Sequence, residues 1–201
     1  MLESIVAAAE KLLAKRGAPI VIALDGPTGA GKSTVAGKLA ALLPAAVVPS
    51  DDFFAADITA AEWDARSTAE RARDCVDWRR LRRDALEPLR AGKSAAWYPF
   101  DFAAGERPDG TYPMSTELVR RRPAPVIIVD GAYSARPELA DLVDLAVLVD
   151  PPVSIREDRL AARDAPAFRE AWNRRWAEAE RFYFTEVSPK SRFDFVIALN
   201  G

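Results

Sequence analysis

Gly26-Pro27-Thr28-Gly29-Ala30-Gly31-Lys32-Ser33 fills the pattern G-x-x-x-x-G-K-[ST] without a break. Residues of these types at this spacing can grip a polyphosphate. Glycines let the chain turn tightly enough for successive N–H groups, here from Gly29 to Thr34, to converge on an anion. A helix beginning there adds partial positive charge at its N-terminus. Lys32 would reach the outer phosphates, and the Ser33 hydroxyl would ligate Mg2+. Three carboxylates could serve the same chemistry. Asp130 closes the run Val126-Ile127-Ile128-Val129-Asp130, the form of a Walker B element whose aspartate holds Mg2+ directly or through water. Asp51 and Asp52 follow Val47-Val48-Pro49-Ser50, at what would be the ligand-binding end of a strand; a helix N-cap accounts for one of them equally well. The chain has no histidine, so proton abstraction falls to a carboxylate, a lysine or a tyrosine.

The elements that must carry these residues are legible in outline. Residues 19–25 form an apolar run of strand length, and residues 33–43 recur at helical spacing, which is the strand, loop and helix order the glycine-rich pattern needs. Residues 45–49, 125–131 and 145–149 read as further strands, residues 94–102 as a strand running into an aromatic loop, and residues 193–199 as a last strand. Helices are expected over 60–90, 155–164 and 167–187, the last with Trp172, Trp176, Phe182 and Tyr183 on its apolar side. Residues 103–113 carry Gly105, Pro108, Gly110 and Pro113 without periodicity and read as a loop. At least five strands alternating with helices predict an α/β fold: a three-layer α/β/α sandwich around a mostly parallel five-stranded sheet, within one domain of 201 residues.

Composition narrows the class. The chain is 49% hydrophobic and 29% charged with a net charge of −2, so nothing in its overall charge draws it to nucleic acid or an anionic membrane. Arginines at 71, 73, 79, 80, 82 and 83 are offset by Asp74, Asp77, Asp84 and Glu87 and read as solvated helix faces with i,i+4 pairs. Residues 1–18 read as an amphipathic helix capping the sheet, not as a signal peptide. A single cysteine, Cys75, excludes an internal disulfide and suits a reducing compartment. A cytoplasmic protein with no membrane or nucleic-acid partner is expected, and homo-oligomerisation stays open. The aromatic residues about 97–102 could close the core or present a stacking surface to a planar ligand.

From Pro19 to Leu199 the chain resembles the uridine kinase and phosphoribulokinase-like family of P-loop kinases. Beside the phosphate loop, Asp51-Asp52-Phe53-Phe54 is similar to the family's D-x-F-[YF] element, whose first aspartate is the catalytic base. Phe100-Asp101-Phe102 with Arg107 is similar to its Y-D-F-x-x-H-x-R substrate loop. Val129-Asp130-Gly131-Ala132-Tyr133 stands where the family has V-E-G-x-Y. Arg159-Leu160-Ala161-Ala162-Arg163-Asp164 is similar, in shortened form, to its lid segment. Two polar groups of the family's substrate loop are missing, since Phe100 replaces a tyrosine and Gly105 a histidine.

The resemblance implies a kinase that moves the γ-phosphate of ATP, with Mg2+, to a hydroxyl of a small molecule, a nucleoside first of all. Asp51 would be the base, with Asp52 the fallback. Lys32 would hold the phosphates, and Ser33 and Asp130 the metal. Arg159 and Arg163, on a helical lid over 152–187, would stabilise the transferring group unless they pair with Glu157, Asp158 and Asp164. Residues 51–113 would bind the acceptor, with Asp77, Tyr98, Asp101, Arg107 and Tyr133 as further candidates. Alternatives are another hydroxylated metabolite or antibiotic as acceptor, a nucleoside monophosphate kinase using Arg107 or the arginines at 120–122, and a regulatory nucleotide-binding module.

Overall fold

The computed structural model describes residues 1–163 and 166–198, without the side chains of residues 163, 166–169, 171 and 172. Asp164 and Leu199, and the side chains of Arg163 and Trp172, therefore lie outside the described residues. The main sheet comprises β1 (Ile20–Asp25), β2 (Ala45–Pro49), β5 (Val126–Asp130), β6 (Leu145–Val149) and β7 (Phe195–Ile197) in the order β2-β5-β1-β6-β7. Every pairing in it is parallel. Alternation along each strand sends side chains to two layers. In β1, Ile20, Ile22 and Leu24 pack with Ile5 and Ala9 of α1 (Leu2–Arg16) and with Val35 and Leu39 of α2 (Lys32–Leu42). Val21 points into the opposite layer with Ile127, Val129, Trp63, Leu86 and Tyr183. All six residues of β1 and all five of β5 are buried, which is why both read as unbroken apolar runs.

The layer opposite α1 and α2 departs from expectation in two places. Residues 60–90 do not form one helix. Thr59 and Ser67 each open a new one, α3 (Ala60–Ala65) and α4 (Thr68–Asp74), by capping boxes with Glu62 and Glu70. Asp77 then caps α5 (Trp78–Leu81), and the chain passes through a π turn, Arg82–Leu86, into α6 (Glu87–Arg90). The arginines here do not form the expected i,i+4 pairs either. Arg73 and Arg83 bond their immediate neighbours Asp74 and Asp84, and Arg82 reaches Asp141. Arg80 lies over the Phe53 ring and donates to the carbonyls of Asp52 and Tyr98. The second departure is the strand expected over 94–102, which shrinks to β3 (Ala95–Trp97) and pairs antiparallel with β4 (Val119–Arg121) outside the main sheet. Arg121 anchors this ribbon by donating to the Val47 carbonyl of β2 at 2.9 Å.

Two helices lie between β6 and β7, α7 (Val153–Arg163) and α8 (Pro166–Phe182), the latter continued by a π turn over Tyr183–Val187. Trp176 and Tyr183 of this last stretch are buried as the apolar periodicity predicts. Among the described residues no helix is long and apolar enough to cross a membrane.

Candidate active site

Sheet order and register bring the chemistry together at one edge. β5 lies between β2 and β1, and Asp130 is level with Leu24 on one side and Pro49 on the other. The residues that leave the carboxyl ends of these three strands, the phosphate loop after β1, Asp51 after β2 and Gly131 after β5, thus surround one crevice. The strand ends approach closely. Gly131 has φ 151°, and a Cβ there would fall 1.8 Å from Ser50 Oγ, so only glycine lets the β5 exit pass the β2 exit. Gly26 is equally constrained, with φ 149° and a would-be Cβ 2.3 Å from the Val149 carbonyl oxygen.

Beneath the loop sits Asp25, fully buried. Its carboxylate accepts from the main-chain N–H groups of Gly26 (2.8 Å), Tyr133 (2.9 Å) and Ala135 (2.9 Å), and from the Tyr183 hydroxyl (2.8 Å). Burial pushes this carboxyl up, against the bonds from Ala135, Tyr183 and Gly26 and the Lys32 charge. The carboxylate pins the ends of β1 and β5 to α8. Tyr133 follows β5 with φ 66°, a left-handed conformation unusual for a bulky residue.

The phosphate loop is formed as its sequence demands. Gly29 and Gly31 have φ 80° and 91°, and α2 begins directly at Lys32, so the loop amides and the helix N-terminus face one concavity. Lys32 Nζ donates to the carbonyls of Gly26 at 2.8 Å and Pro27 at 3.0 Å. Asp130 is only 9% exposed, and its Oδ1 has no hydrogen-bond partner. Burial raises this carboxyl, while the neighbouring Ser33 hydroxyl and the Lys32 charge act against the rise. A buried carboxylate oxygen without a partner is costly. Placed beside a serine hydroxyl at a phosphate loop, it fits an oxygen-seeking divalent cation such as Mg2+.

A cavity of about 610 Å3 opens from this loop. Lys32, Ser33, Thr34, Asp51, Asp130 and Arg159 line its polar end, and Phe54, Val76, Phe102, Tyr133 and Trp176 its apolar wall. The wall is built edge to face, with Phe54 5.3 Å from Trp176 and 5.7 Å from Phe102 between ring centroids. The two readings of the aromatic stretch divide by residue: Phe100 is 8% exposed and closes the core, whereas Phe102 is 52% exposed and lines the cavity.

Asp51 and Asp52 separate. Both lie in the 3-10 turn Ser50–Phe53, but only Asp51 lines the cavity. Asp52 is half-buried and accepts from Trp97 Nε1 at 2.7 Å, and burial raises its carboxyl. Of the other acceptor candidates, Tyr133 lines the cavity and four do not. Asp77 caps α5 by accepting from Arg80 N. Asp101 caps its own turn at Ala103 and Ala104. Tyr98 is half exposed and gives its carbonyl to Arg80. Arg107 is exposed in the turn that its main chain forms with Thr111. Arg159 donates to the Ala30 carbonyl at 2.9 Å from α7; the Arg163 side chain lies outside the described residues. Arg156 and Glu180 escaped the sequence reading because no motif carries them; Trp176, read there only as part of the helix's apolar side, lines the cavity, and it shares one helical stripe with Glu180.

A parallel sheet with a glycine-rich phosphate loop and a carboxylate on the neighbouring strand defines a P-loop nucleotide-binding protein. The family model described as AAA domain matches residues 21–184, and the chain belongs to that family. It is 30% identical to the uridine kinase of Borrelia turicatae over 145 residues, which are 72% of this chain and 66% of that protein. Among solved structures, a Bacillus stearothermophilus protein described as a possible uridine kinase superposes with TM-score 0.64 at 18% identity, over 96% of this chain and 99% of that one. D-glycerate 3-kinase from Cryptococcus neoformans superposes with TM-score 0.62 at 15% identity, over 98% of this chain and 95% of that one. At such identities the superpositions establish a shared fold.

Proposed function

We propose that this protein is an ATP-dependent, Mg2+-requiring kinase that phosphorylates a hydroxyl group of a small molecule, a nucleoside foremost, and that it acts in the cytoplasm. The observation that carries the reading is the meeting of Lys32, Ser33, Asp130 and Asp51 around one cavity with an aromatic wall. The relationship to a uridine kinase supports the reaction class and points to a nucleoside. The single cysteine, buried and free, supports the compartment.

The chain supplies most of what such a transfer needs. The loop amides and Lys32 hold the phosphates in line with the acceptor. Ser33 and Asp130 would hold Mg2+, which when bound neutralises charge on the phosphates. The acceptor oxygen bonds to the γ-phosphorus as the bond to the departing ADP breaks, and Asp51 takes the hydroxyl proton. Arg159 would balance charge on the transferring group from a lid formed by α7. The aromatic wall of Phe54, Phe102 and Trp176 suits the flat face of a base and excludes water. Residues 51–113 would then contribute the acceptor side, within a single kinase domain.

A non-nucleoside acceptor is the second reading. It is favoured by Phe100 and Gly105, which replace the family's tyrosine and histidine, and by the engagement of Asp77, Tyr98, Asp101 and Arg107 away from the cavity. Purified protein with Mg2+ and ATP, offered nucleosides, nucleoside monophosphates, sugars, pantothenate and hydroxylated antibiotics with products read by mass spectrometry, tests both. Phosphorylated uridine or cytidine is the expected product. Asp51→Asn should cut turnover about 10²–10⁴-fold, the usual worth of a general base, with ATP binding kept. No product from any acceptor, in a protein that still binds ATP, would favour a regulatory nucleotide-binding module.

A further inference from the structure

Trp176, Glu180 and Tyr183 stand at i, i+4 and i+7, on one face of α8 and its continuation. Trp176 belongs to the aromatic wall of the cavity, and Tyr183 bonds Asp25 under the phosphate loop. Between them, Glu180 Oε1 accepts from both the main-chain N–H and the hydroxyl of Thr28, at 2.6 and 2.7 Å. Its other oxygen lies 3.9 Å from Arg156 Nη1 of α7, and the same nitrogen is 3.4 Å from the Thr28 carbonyl. One turn further along α7, Arg159 donates to the Ala30 carbonyl. The Glu180 side chain is only 16% exposed.

A poorly hydrated carboxylate beside a loop made for polyanions opposes phosphate binding by simple Coulomb repulsion. Its place there needs a compensating role, and its contacts indicate one. Two donors from a single residue fix both the backbone and the rotamer of Thr28, and thereby the first half of the loop. The second oxygen faces Arg156 of α7 where that helix lies over the loop. We infer that Glu180 is a positioning residue that ties the phosphate loop to the acceptor wall and, through Arg156, registers closure of α7. It lines the cavity and acts through Thr28 and Arg156. The kinetic consequence rests on the kinase reading, whereas the nucleotide-binding consequence rests on the loop alone.

Glutamine separates the two roles. Its amide oxygen can still accept both Thr28 bonds, but it carries no charge for Arg156. The experiment measures Mg2+-AMP-PNP affinity by calorimetry and nucleotide-induced amide protection of residues 153–163 by hydrogen exchange, in the wild type, Glu180→Ala, Glu180→Gln and Arg156→Gln. Glu180→Ala should weaken AMP-PNP about tenfold, the order expected when a charge-assisted positioning contact is lost. Glu180→Gln and Arg156→Gln should bind within about twofold of wild type. All three variants should lose the nucleotide-induced protection of α7. With an active acceptor in hand, Glu180→Gln should lower kcat with the KM for ATP unchanged, and Glu180→Ala should change both.

Full protection of α7 in Glu180→Gln or Arg156→Gln overturns the inference. So does a glutamine variant that binds AMP-PNP as weakly as the alanine variant, because charge and not loop geometry would then be at work. Should Glu180→Ala fail to fold, the two glutamine variants still decide between these outcomes. A wild type that binds AMP-PNP but phosphorylates nothing defeats the kinase reading alone, and a wild type that does not bind AMP-PNP defeats both.

Discussion

Tyr183→Phe isolates one buried hydrogen bond under the phosphate loop. The ring is kept, together with its edge contacts to Tyr133 and Phe184 at 4.7 and 4.9 Å, so no cavity forms. What is lost is the 2.8 Å bond from the tyrosine hydroxyl to Asp25 Oδ2, the fourth donor to a carboxylate with no exposure. Hydrogen bonds to charged groups contribute about 1.5–3 kcal/mol. For a protein of this size each kcal/mol moves the midpoint by about 2–4 °C, so Tm should fall by roughly 3–12 °C. The pH dependence carries a definite sign. Burial already holds the folded Asp25 carboxyl above its unfolded value, and removing a donor to the ionised form raises it further. The deficit of the variant is therefore full above the folded pKa, where Asp25 is ionised in both proteins, and shrinks as pH falls through it. Thermal melts followed by circular dichroism from pH 5 to 8 test this. An unchanged Tm at pH 7, or a deficit that grows on acidification, would refute the account of Asp25 as the tie between β1, β5 and α8.

Two further outcomes follow from the same edge of the sheet. Gly131→Ala places a Cβ 1.8 Å from Ser50 Oγ at φ 151°, which should cost about 1–3 kcal/mol or more; Ser50→Gly in the same chain should recover part of the lost Tm, and no recovery would mean that backbone strain dominates. Asp130→Asn removes half of the predicted metal pair, so the Mg2+ concentration needed for tight AMP-PNP binding should rise about 10–100-fold with Tm held or increased, since the charge on a buried carboxyl is removed; a metal titration with unchanged midpoint would exclude Asp130 from the Mg2+ site.

The residues of the phosphate loop were legible because their geometry is local. A glycine-rich turn, a lysine and a serine at fixed offsets carry their conformation in their own φ values, and the strands on either side announce themselves by apolar runs that are buried on both faces. The capping boxes at Thr59 and Ser67 were equally local, yet the density of charge around them disguised four short helices, α3 to α6, as one long one. The residues expected on the acceptor side obeyed no such rule. Asp51 and Asp52 are neighbours with the same chemistry, and what separates them is Trp97, 45 residues away in a three-residue strand that no alternation marks. Asp77 and Asp101 carry the right charge but spend it on their own turns. Glu180 lies 152 residues from Thr28 and reaches it because the parallel crossovers return α8 to the end of β1. Local geometry can be read from neighbours along the chain, whereas a side chain's partner across the sheet exists only once long-range packing has chosen it.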